Sequence, residues 1–325
     1  MKTSVAMKVN QENLVKSLKF SFTNKSTVLG ELMQNARRAG ATQVSFDYDP
    51  MLSTLTVIDD GCGIDDVEAL LTVAQSGWDA GVMTEEHPFG IGFLSALYAC
   101  EHLSLVSKCG RLAALTADVL SFQDLEIDAS VDWQGKTKLT LTGFGLDADK
   151  IADKLKTLAE GFPIPVLFNG EKLGRYAAFD VVSERSISGL EFVETEIGWV
   201  HLHGIKGFSE IPCDDGYFKV YLQGLPIYEN ATWSRGVENV HIIHLDSARF
   251  YARLPDRDKL IDETEVVTLI QAVLNHLARQ RLVALKDSME PEAFVETFET
   301  LKFWKCLDLL NDVGFLPKQV VEFID

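Results

Sequence analysis

Apolar residues along the chain follow a helical spacing in some stretches and alternate with polar residues in others. Helical spacing runs from residue 13 to about 41, interrupted by a polar loop at 21–26 whose Ser and Asn side chains can cap the second helix. Gly40 is expected to end that helix. Alternating runs at 43–48 and 55–58 then predict a β-hairpin, closed by a glycine-rich turn from Asp59 to Gly63.

The same patterns predict the remaining elements. Further helices are expected at 65–75, 92–99 and 148–160, and strands at 103–108, 111–119, 125–133 and 138–142. After a Gly/Pro-rich segment at 161–165, a type I′ turn at Asn169-Gly170 precedes strands at 179–182, 191–193, 199–203, 218–223 and 240–245. A capping box at Asp262 and Glu265 would open a long helix, and Pro291 would open a last helical stretch.

These elements predict an α+β protein in three parts. A first domain at 1–160 mixes helices with a largely antiparallel sheet, a strand-rich α/β domain occupies 161–288, and a helical segment occupies 289–325. The 325 residues agree with about two domains at roughly 150 residues each.

Composition and charge exclude several classes of protein. With 46% hydrophobic and 24% charged residues, the chain is an ordinary globular sequence. Its formal charge of −18 argues against general nucleic-acid binding. The 5 scattered cysteines form no C-x-x-C pair, which indicates a reducing compartment and no zinc site. No apolar run is long enough to cross a membrane, so we expect a cytoplasmic protein without a membrane partner.

Two motifs carry carboxylates suited to chemistry. Glu31 and Asn35 are four residues apart and share one helix face, where they could orient a water and coordinate Mg²⁺. A solvated polar pair is the ordinary alternative. Asp59 ends a strand before Gly61 and Gly63, where a carboxylate could accept a hydrogen bond from an exocyclic amine while bare backbone admits a flat base. A tight strand-to-helix turn is the alternative there.

Two further motifs are weaker when taken singly. Gly90 and Gly92 open an apolar helix, whose free backbone amides could bind a phosphate, although close helix packing would use the same glycines. Thr137 enters a strand from a turn and offers a hydroxyl, as in many hairpins.

Together and in this order, the four motifs resemble those of the GHKL ATPases, which include gyrase, heat-shock-protein-90 chaperones, histidine kinases and MutL. The stretches ELMQNARRAGATQVSFDYD and TVIDDGCGI are most similar to MutL, whereas FGIGFLSA is more similar to the heat-shock-protein-90 chaperones. The resemblance implies a Bergerat α/β sandwich that binds ATP with Mg²⁺, followed by a domain like the middle or transducer domain of these families.

The resemblance also implies residue roles. Glu31 would position or deprotonate the attacking water, and Asn35 would bind Mg²⁺. The adenine side would be formed by Asp59, Gly61, Gly63 and Thr137. Gly90 and Gly92 would contact the phosphates, and 76–88 would form the nucleotide lid. Two departures from the family pattern are Arg38, where many members carry Asp, and Lys136, which interrupts the usual Gly-Thr pair.

A charged turn in the second domain resembles the loop that sends a basic residue to the terminal phosphate in the chaperone and MutL relatives. Arg257 is the first choice for this role, Lys259 the second and Arg253 the third. A solvated charged turn is the ordinary alternative. His201 and His203 alternate along a predicted strand, but no third metal ligand accompanies them, so ordinary structural histidines are the preferred interpretation.

These features predict an ATPase of low turnover that works as a nucleotide-gated conformational switch of chaperone-like type. One alternative is a MutL- or topoisomerase-type ATPase acting on DNA directly or through a partner. Another is an ATP-sensing interaction module without hydrolysis. The partner would be an unidentified protein client, and an ATP-dependent homodimer is possible. Because 325 residues leave no room for a large C-terminal dimerisation domain, such a dimer would use other surfaces.

Overall fold

The computed structural model describes residues 4, 6, 8–22, 24–73, 92–205, 208–212, 217–230, 240–253 and 257–315. The chain divides into two units. Unit 1 comprises Met1–Ala178 together with two later segments, Gln223–Leu225 and Arg253–Asp258. Unit 2 comprises Phe179–Leu222, Pro226–Ala252 and Lys259–Asp325.

Unit 1 is built on an eight-stranded sheet with the spatial order β5-β4-β3-β6-β2-β1-β7-β8. Its strands are β1 Val44–Asp49, β2 Thr54–Asp59, β3 His102–Ser107, β4 Gly110–Leu115, β5 Ile127–Asp128, β6 Thr137–Thr142, β7 Val166–Phe168 and β8 Glu171–Lys172. The β1–β7 pair is parallel and the other neighbours are antiparallel. Alternate residues of β3, namely Leu103, Leu105 and Ser107, are buried, as a half-buried strand requires.

The helices of unit 1 share one hydrophobic core with this sheet. They are α1 Gln11–Leu18, α2 Thr27–Arg38, α3 Val67–Leu71, α4 Gly92–Ala99, α5 Thr116–Leu120 and α6 Ala148–Ala159. Helix α2 contacts both α4 and α6. It is buried on almost every side, since Val28, Leu29, Leu32 and Met33 all join the core. Such a helix needs partners for any polar side chain that it carries inward.

Unit 2 holds a five-stranded sheet with the order β11-β12-β17-β15-β16, in which β15 and β17 are parallel. Those five strands are β11 Val193–Thr195, β12 Gly198–His201, β15 Phe218–Leu222, β16 Leu225–Glu229 and β17 His241–Leu245. Two separate two-stranded sheets are formed by β9 Phe179–Asp180 with β10 Arg185–Ser186 and by β13 Gly204–Ile205 with β14 Phe208–Pro212. Its helices are α7 Glu263–Ser288, α8 Pro291–Val295 and α9 Phe298–Phe303, followed by a 3₁₀ turn at Leu307–Leu310.

The predicted α+β class is confirmed, and so are several elements. The hairpin of β1 and β2, helices α4 and α6, and the long helix α7 lie where the patterns place them. The type I′ turn is confirmed by positive φ angles at Asn169 and Gly170, between β7 and β8. These two strands join the sheet of unit 1 through β1, and unit 1 continues to Ala178. Strands β7 and β8 therefore belong to unit 1, although they follow the Gly/Pro-rich segment at 161–165 where the second domain was predicted to begin.

Several predicted strands are shorter than their sequence patterns. The strand expected at 111–119 ends at Leu115, because Thr116 starts α5 and its hydroxyl donates to the carbonyls of Cys100 and Glu101. The strand expected at 125–133 is reduced to β5, because the Asp128 carboxylate binds the backbone N–H and hydroxyl of Ser130 in a turn. Local side-chain bonds of this kind compete with strand pairing.

Three predictions about helix ends are wrong. The helix expected at 65–75 ends at Leu71, since Thr72 adopts an extended conformation. Ser26 makes no side-chain cap on α2; instead Asn24 accepts hydrogen bonds from the N–H and hydroxyl of Ser26. The capping box at Asp262 does not form, because Asp262 has φ 54° and its side chain makes no cap hydrogen bond.

Candidate functional site

Helix α2 carries two buried polar residues, Glu31 and Gln34. The exposed fraction of Glu31 is 6% and that of Gln34 is 0%. Because Glu31 is buried, the alternative interpretation of Glu31 and Asn35 as a solvent-exposed polar pair is excluded. A buried carboxylate needs a partner, because an isolated buried charge is strongly destabilising.

The partner of Glu31 is Arg257, the first choice for the phosphate-directed cation. Arg257 Nε lies 2.7 Å from Glu31 Oε1, and both side chains are largely buried. The Nε–H bond does not point along a hydrogen-bond direction to any described residue, so the contact is an ion pair by distance. Arg257 belongs to the segment Arg253–Asp258 of unit 1, so this contact lies within one unit.

Gly92, the first residue of α4, lies directly against the same carboxylate. A Cβ built on Gly92 would overlap Glu31 Oε2 and lie 2.9 Å from Glu31 Cδ. Only glycine fits here without a shift of the carboxylate. The Glu31 carboxylate thus contacts both a guanidinium and a glycine at the start of a helix.

A second group of residues lies at the ends of β2 and β6. Asp59 and Thr137 face each other in the register of these two strands. Thr137 Oγ1 lies 3.0 Å from Ser107 Oγ, and Ser107 Oγ accepts a hydrogen bond of 2.8 Å from the N–H of Ile64. Ser107 was missed in the sequence, although a serine at the inward phase of the apolar alternation in β3 is a signal of a buried hydroxyl.

The turn after β2 is held close to both α2 and the loop before β6. A Cβ on Gly61 would lie 2.6 Å from Ala39 Cβ, and one on Gly63, with φ 79°, would lie 2.9 Å from Trp133 Cζ2. The Asp59 carboxylate accepts a hydrogen bond of 3.0 Å from Gly61 N–H. Burial raises the pKa of Asp59, the Gly61 N–H opposes this rise, and the charge of Asp60 adds to it.

Residues 22–140 match a family model described as histidine kinase-, DNA gyrase B-, and HSP90-like ATPase. This segment is therefore similar to the ATPase domains of the GHKL proteins. It includes α2, the turn after β2 and Thr137, whereas Arg257 lies outside the matched range. No curated protein matches the chain.

The candidate metal ligand in this segment is Asn35. Asn35 is half-buried on α2, one turn after Glu31. The described residues contain no group of three His, Cys, Asp or Glu side chains that could hold a metal. A single amide oxygen suits Mg²⁺, which retains water and takes phosphate oxygens as ligands rather than filling an all-protein cage. Asn35 would thus supply one oxygen ligand to a Mg²⁺ that is also held by nucleotide phosphates.

Both departures from the family pattern make hydrogen bonds beside the site, Arg38 through its side chain and Lys136 through its backbone carbonyl. Arg38 Nη2 donates to Gln223 Oε1 at 3.3 Å. The carbonyl of Lys136 accepts a hydrogen bond of 3.0 Å from Trp133 Nε1, which holds the loop before Thr137. Gln223 and Gln34 were both missed in the sequence, because only the fold places residue 223 next to α2.

Some predicted residues remain apart from the site or lie outside the described residues. Gly90 and the whole proposed lid at 76–88 are outside the described ranges. Arg253 is exposed and pairs with Asp258 at 3.0 Å. Lys259 is an exposed residue of unit 2.

The two histidines considered as metal ligands belong to a histidine cluster in unit 2. His201 ends β12, and His203 lies beyond that strand. His201 Nδ1 lies 2.8 Å from the carbonyl of Glu191, and His203 N–H donates to Nδ1 of the buried His241 at 3.0 Å. Burial lowers the pKa of His241 to about 3, with further lowering by the charges of His203, His201 and Arg281.

The described residues include no helix that is both long and apolar enough to span a lipid bilayer.

Proposed function

We propose that the chain binds Mg-ATP and hydrolyses it slowly, and that nucleotide state switches its conformation. The observation that carries this proposal is the contact of Glu31 with both Arg257 and Gly92. In a phosphoryl-transfer site, a carboxylate orients the attacking water, and cations with backbone amides stabilise charge that develops on the phosphate. The three residues supply these functions at one place inside unit 1.

The nucleobase would lie beside Asp59 and Thr137. A partly buried carboxylate is a good acceptor for the exocyclic amine of adenine, and Gly61 and Gly63 leave the backbone bare where a flat ring could approach. Ser107 would keep the Thr137 hydroxyl oriented. When bound, ATP with Mg²⁺ supplies the transferable phosphoryl group and its charge neutralisation.

Glu31 and Arg257 have linked roles in this proposal. Glu31 orients water and accepts its proton, while Arg257 stabilises negative charge on the terminal phosphate. Arg257 is paired with the Glu31 carboxylate, so the proposed base and the proposed phosphate-directed cation lie side by side.

The strongly acidic chain supports a chaperone-like switch with a protein client over a DNA-acting ATPase. A net charge of −18 opposes general association with the phosphate backbone of nucleic acids. A cytoplasmic location and an ATP-dependent homodimer belong to the same proposal.

Glu31→Gln tests the proposed chemistry while keeping the size of the side chain. We expect Mg-ATP affinity within a few-fold of the parent and turnover reduced by at least about 100-fold, as for the loss of a general base. Calorimetry and phosphate release measure the two quantities. Glu171→Gln, on the exposed strand β8, is the control and should change neither. Parental turnover in Glu31→Gln would eliminate the proposed base, and nucleotide binding without any phosphate release in the parent would favour the ATP-sensing alternative.

A further inference from the structure

Gln223 lies at the tip of the hairpin formed by β15 and β16. The two residues between these strands, Gln223 and Gly224, have φ angles of 53° and 78°. Positive φ at both central positions is the requirement of a type I′ turn, in which Asn, Asp or Gly usually takes the first position. A glutamine in the left-handed region is uncommon, which suggests that contacts of its side chain favour glutamine at this position.

Both the backbone and the side chain of Gln223 contact functional parts of unit 1. Its carbonyl accepts a hydrogen bond of 2.8 Å from Gln34 Nε2 on α2. Its carboxamide oxygen accepts one from Arg38 Nη2 at 3.3 Å and one from Arg257 Nη1 at 3.2 Å. The residues Gln223–Leu225 and Arg253–Asp258 both belong to unit 1.

These contacts hold Arg257 at two points. Glu31 contacts its Nε, and Gln223 accepts from its Nη1. A planar guanidinium held at two atoms has a defined position and plane, which a single ion pair would not impose. Arg257 itself has φ 50°, so its backbone also occupies the left-handed region. The neutral carboxamide oxygen additionally lies between two guanidinium groups that would otherwise repel each other.

We propose that Gln223 is a positioning residue for the phosphoryl-transfer step. Its carboxamide links Arg38 on α2 to Arg257 and so places the Arg257 guanidinium at the Glu31 carboxylate. The role of Arg257 at the terminal phosphate rests on the proposed function, whereas the placement of Arg257 by Gln223 can be measured without nucleotide. Arg38, which departs from the family pattern, would help to hold the Gln223 carboxamide in place by donating a hydrogen bond to its oxygen.

Two substitutions separate the side chain of Gln223 from its backbone. Gln223→Ala removes the carboxamide but keeps the carbonyl that binds Gln34. Gln223→Gly also removes it and relieves the left-handed backbone. Both should lower kcat about tenfold, the effect expected for one hydrogen bond to a charged group, with ADP affinity and KM within about twofold of the parent. Normal kcat in either variant would overturn the proposal. If only Gln223→Gly had normal kcat, the loss in Gln223→Ala would be due to strain in the left-handed backbone and not to the missing carboxamide.

A double-substitution cycle distinguishes positioning from a general structural role. If Gln223 acts through Arg257, then Gln223→Ala should cause no further loss of kcat in an Arg257→Ala background. Losses that multiply in the double variant would show an independent role for Gln223 and would overturn the proposal.

Arginine side-chain NMR on the 325-residue chain without nucleotide tests the placement. The Arg257 Nε–H signal, assigned by its disappearance in Arg257→Ala, should exchange with water at least about tenfold faster in Gln223→Ala than in the parent. Unchanged exchange would overturn the placement. Absence of ATP hydrolysis in the parent would instead contradict the proposed function, and the exchange rates would still decide the role of Gln223.

Discussion

Buried polar side chains mark the candidate site at the scale of single residues. Glu31 and Gln34 on α2 and Ser107 and Thr137 on the sheet are all nearly inaccessible, and each has a polar partner. Buried polar groups are retained where they are satisfied, and such groups rigidify the structure around them. The two clusters that they form coincide with the proposed phosphate and base ends of a nucleotide site.

Asp59 should determine base selection. Its carboxylate matches the adenine amine, whereas the guanine carbonyl would oppose it with a second acceptor, so ATP should be preferred over GTP by on the order of 10⁴-fold. Asp59→Asn should abolish ATP binding in calorimetry. Asp60→Asn is the adjacent control: the Asp60 carboxylate binds the backbone N–H groups of Thr42 and Gln43, so this variant should lose stability but keep ATP selection. Equal affinities of the parent for ATP and GTP would contradict the assignment.

His241 should make unit 2 sensitive to acid. Its pKa is about 3 in the folded protein, against an ordinary value of 6.5, so between these values the unfolded chain binds more protons. Folding stability should therefore be complete above about pH 6.5 and fall on acidification, with a slope of up to about 1.4 kcal/mol per pH unit from this group.

Guanidinium unfolding at several pH values measures this effect. His241→Asn keeps an acceptor for His203 N–H without titrating, and the difference from the parent isolates one residue. The lowered pKa of His201 acts in the same direction in both proteins. Parallel pH profiles for the parent and His241→Asn would contradict the expectation.

The contact of α2 with the start of α4 is the decisive feature at the scale of elements. Helix α2 is buried on almost all faces, and Gly92 lets α4 approach the Glu31 carboxylate. The turn after β2 is joined to the same helix, since Cys62 N–H donates to the carbonyl of Ala39 at 2.8 Å. Helix α2 thus connects the residues proposed for phosphate chemistry to those proposed for the base.

Gly92→Ala should disturb this contact. The new Cβ would displace the Glu31 carboxylate, so we expect turnover to fall at least about tenfold, even though alanine is generally the better helix former by about 1 kcal/mol. Gly30→Ala is the matched control on α2, because its Cβ would meet Leu225 Cδ1 at an ordinary 3.4 Å. That variant should be as stable as the parent or more stable, with normal turnover. Phosphate release and thermal unfolding compare the two, and normal activity in Gly92→Ala would refute the close approach.

Two short segments distant in sequence complete unit 1 at the scale of the whole molecule. Gln223–Leu225 and Arg253–Asp258 belong to it, although both are flanked by residues of unit 2. Strand β7 also belongs to the unit, because it pairs with β1. Truncation before β7 should therefore impair folding, whereas truncation between β8 and Gln223 should impair activity more than folding.

A fragment of residues 1–178 should fold and bind ATP but hydrolyse it poorly, because it lacks Gln223 and Arg257. Loss of an arginine at the phosphate can reduce the rate by about 10³-fold or more. A fragment of residues 1–160 lacks β7 and β8 and should unfold at a lower temperature than the longer one. Circular dichroism and phosphate release check both fragments, and full turnover in the 1–178 fragment would remove Arg257 from the proposed chemistry.

The sequence by itself determined the local features of this protein. Periodicity located α2, α4, α6 and α7, and turn residues located the β1–β2 and β7–β8 hairpins. The order of four short motifs indicated the resemblance to GHKL ATPases that the family match over residues 22–140 supports. These features succeed because hydrophobic spacing and glycine conformations act over a few residues. The ends of elements failed where side chains such as Asp128 and Thr116 bind nearby backbone, since such bonds compete with regular structure.

Only the tertiary structure decided which distant residues meet. The spacing of Glu31 and Asn35 predicted a shared helix face, but it could not show that Glu31 is buried or that Arg257 is its partner. Nor could it bring Gln223 to α2 or place β7 beside β1. Such contacts join residues more than 100 positions apart, and they follow from how the core closes around α2. Ion pairing and burial depend on how the core packs around α2, so local sequence patterns do not predict them.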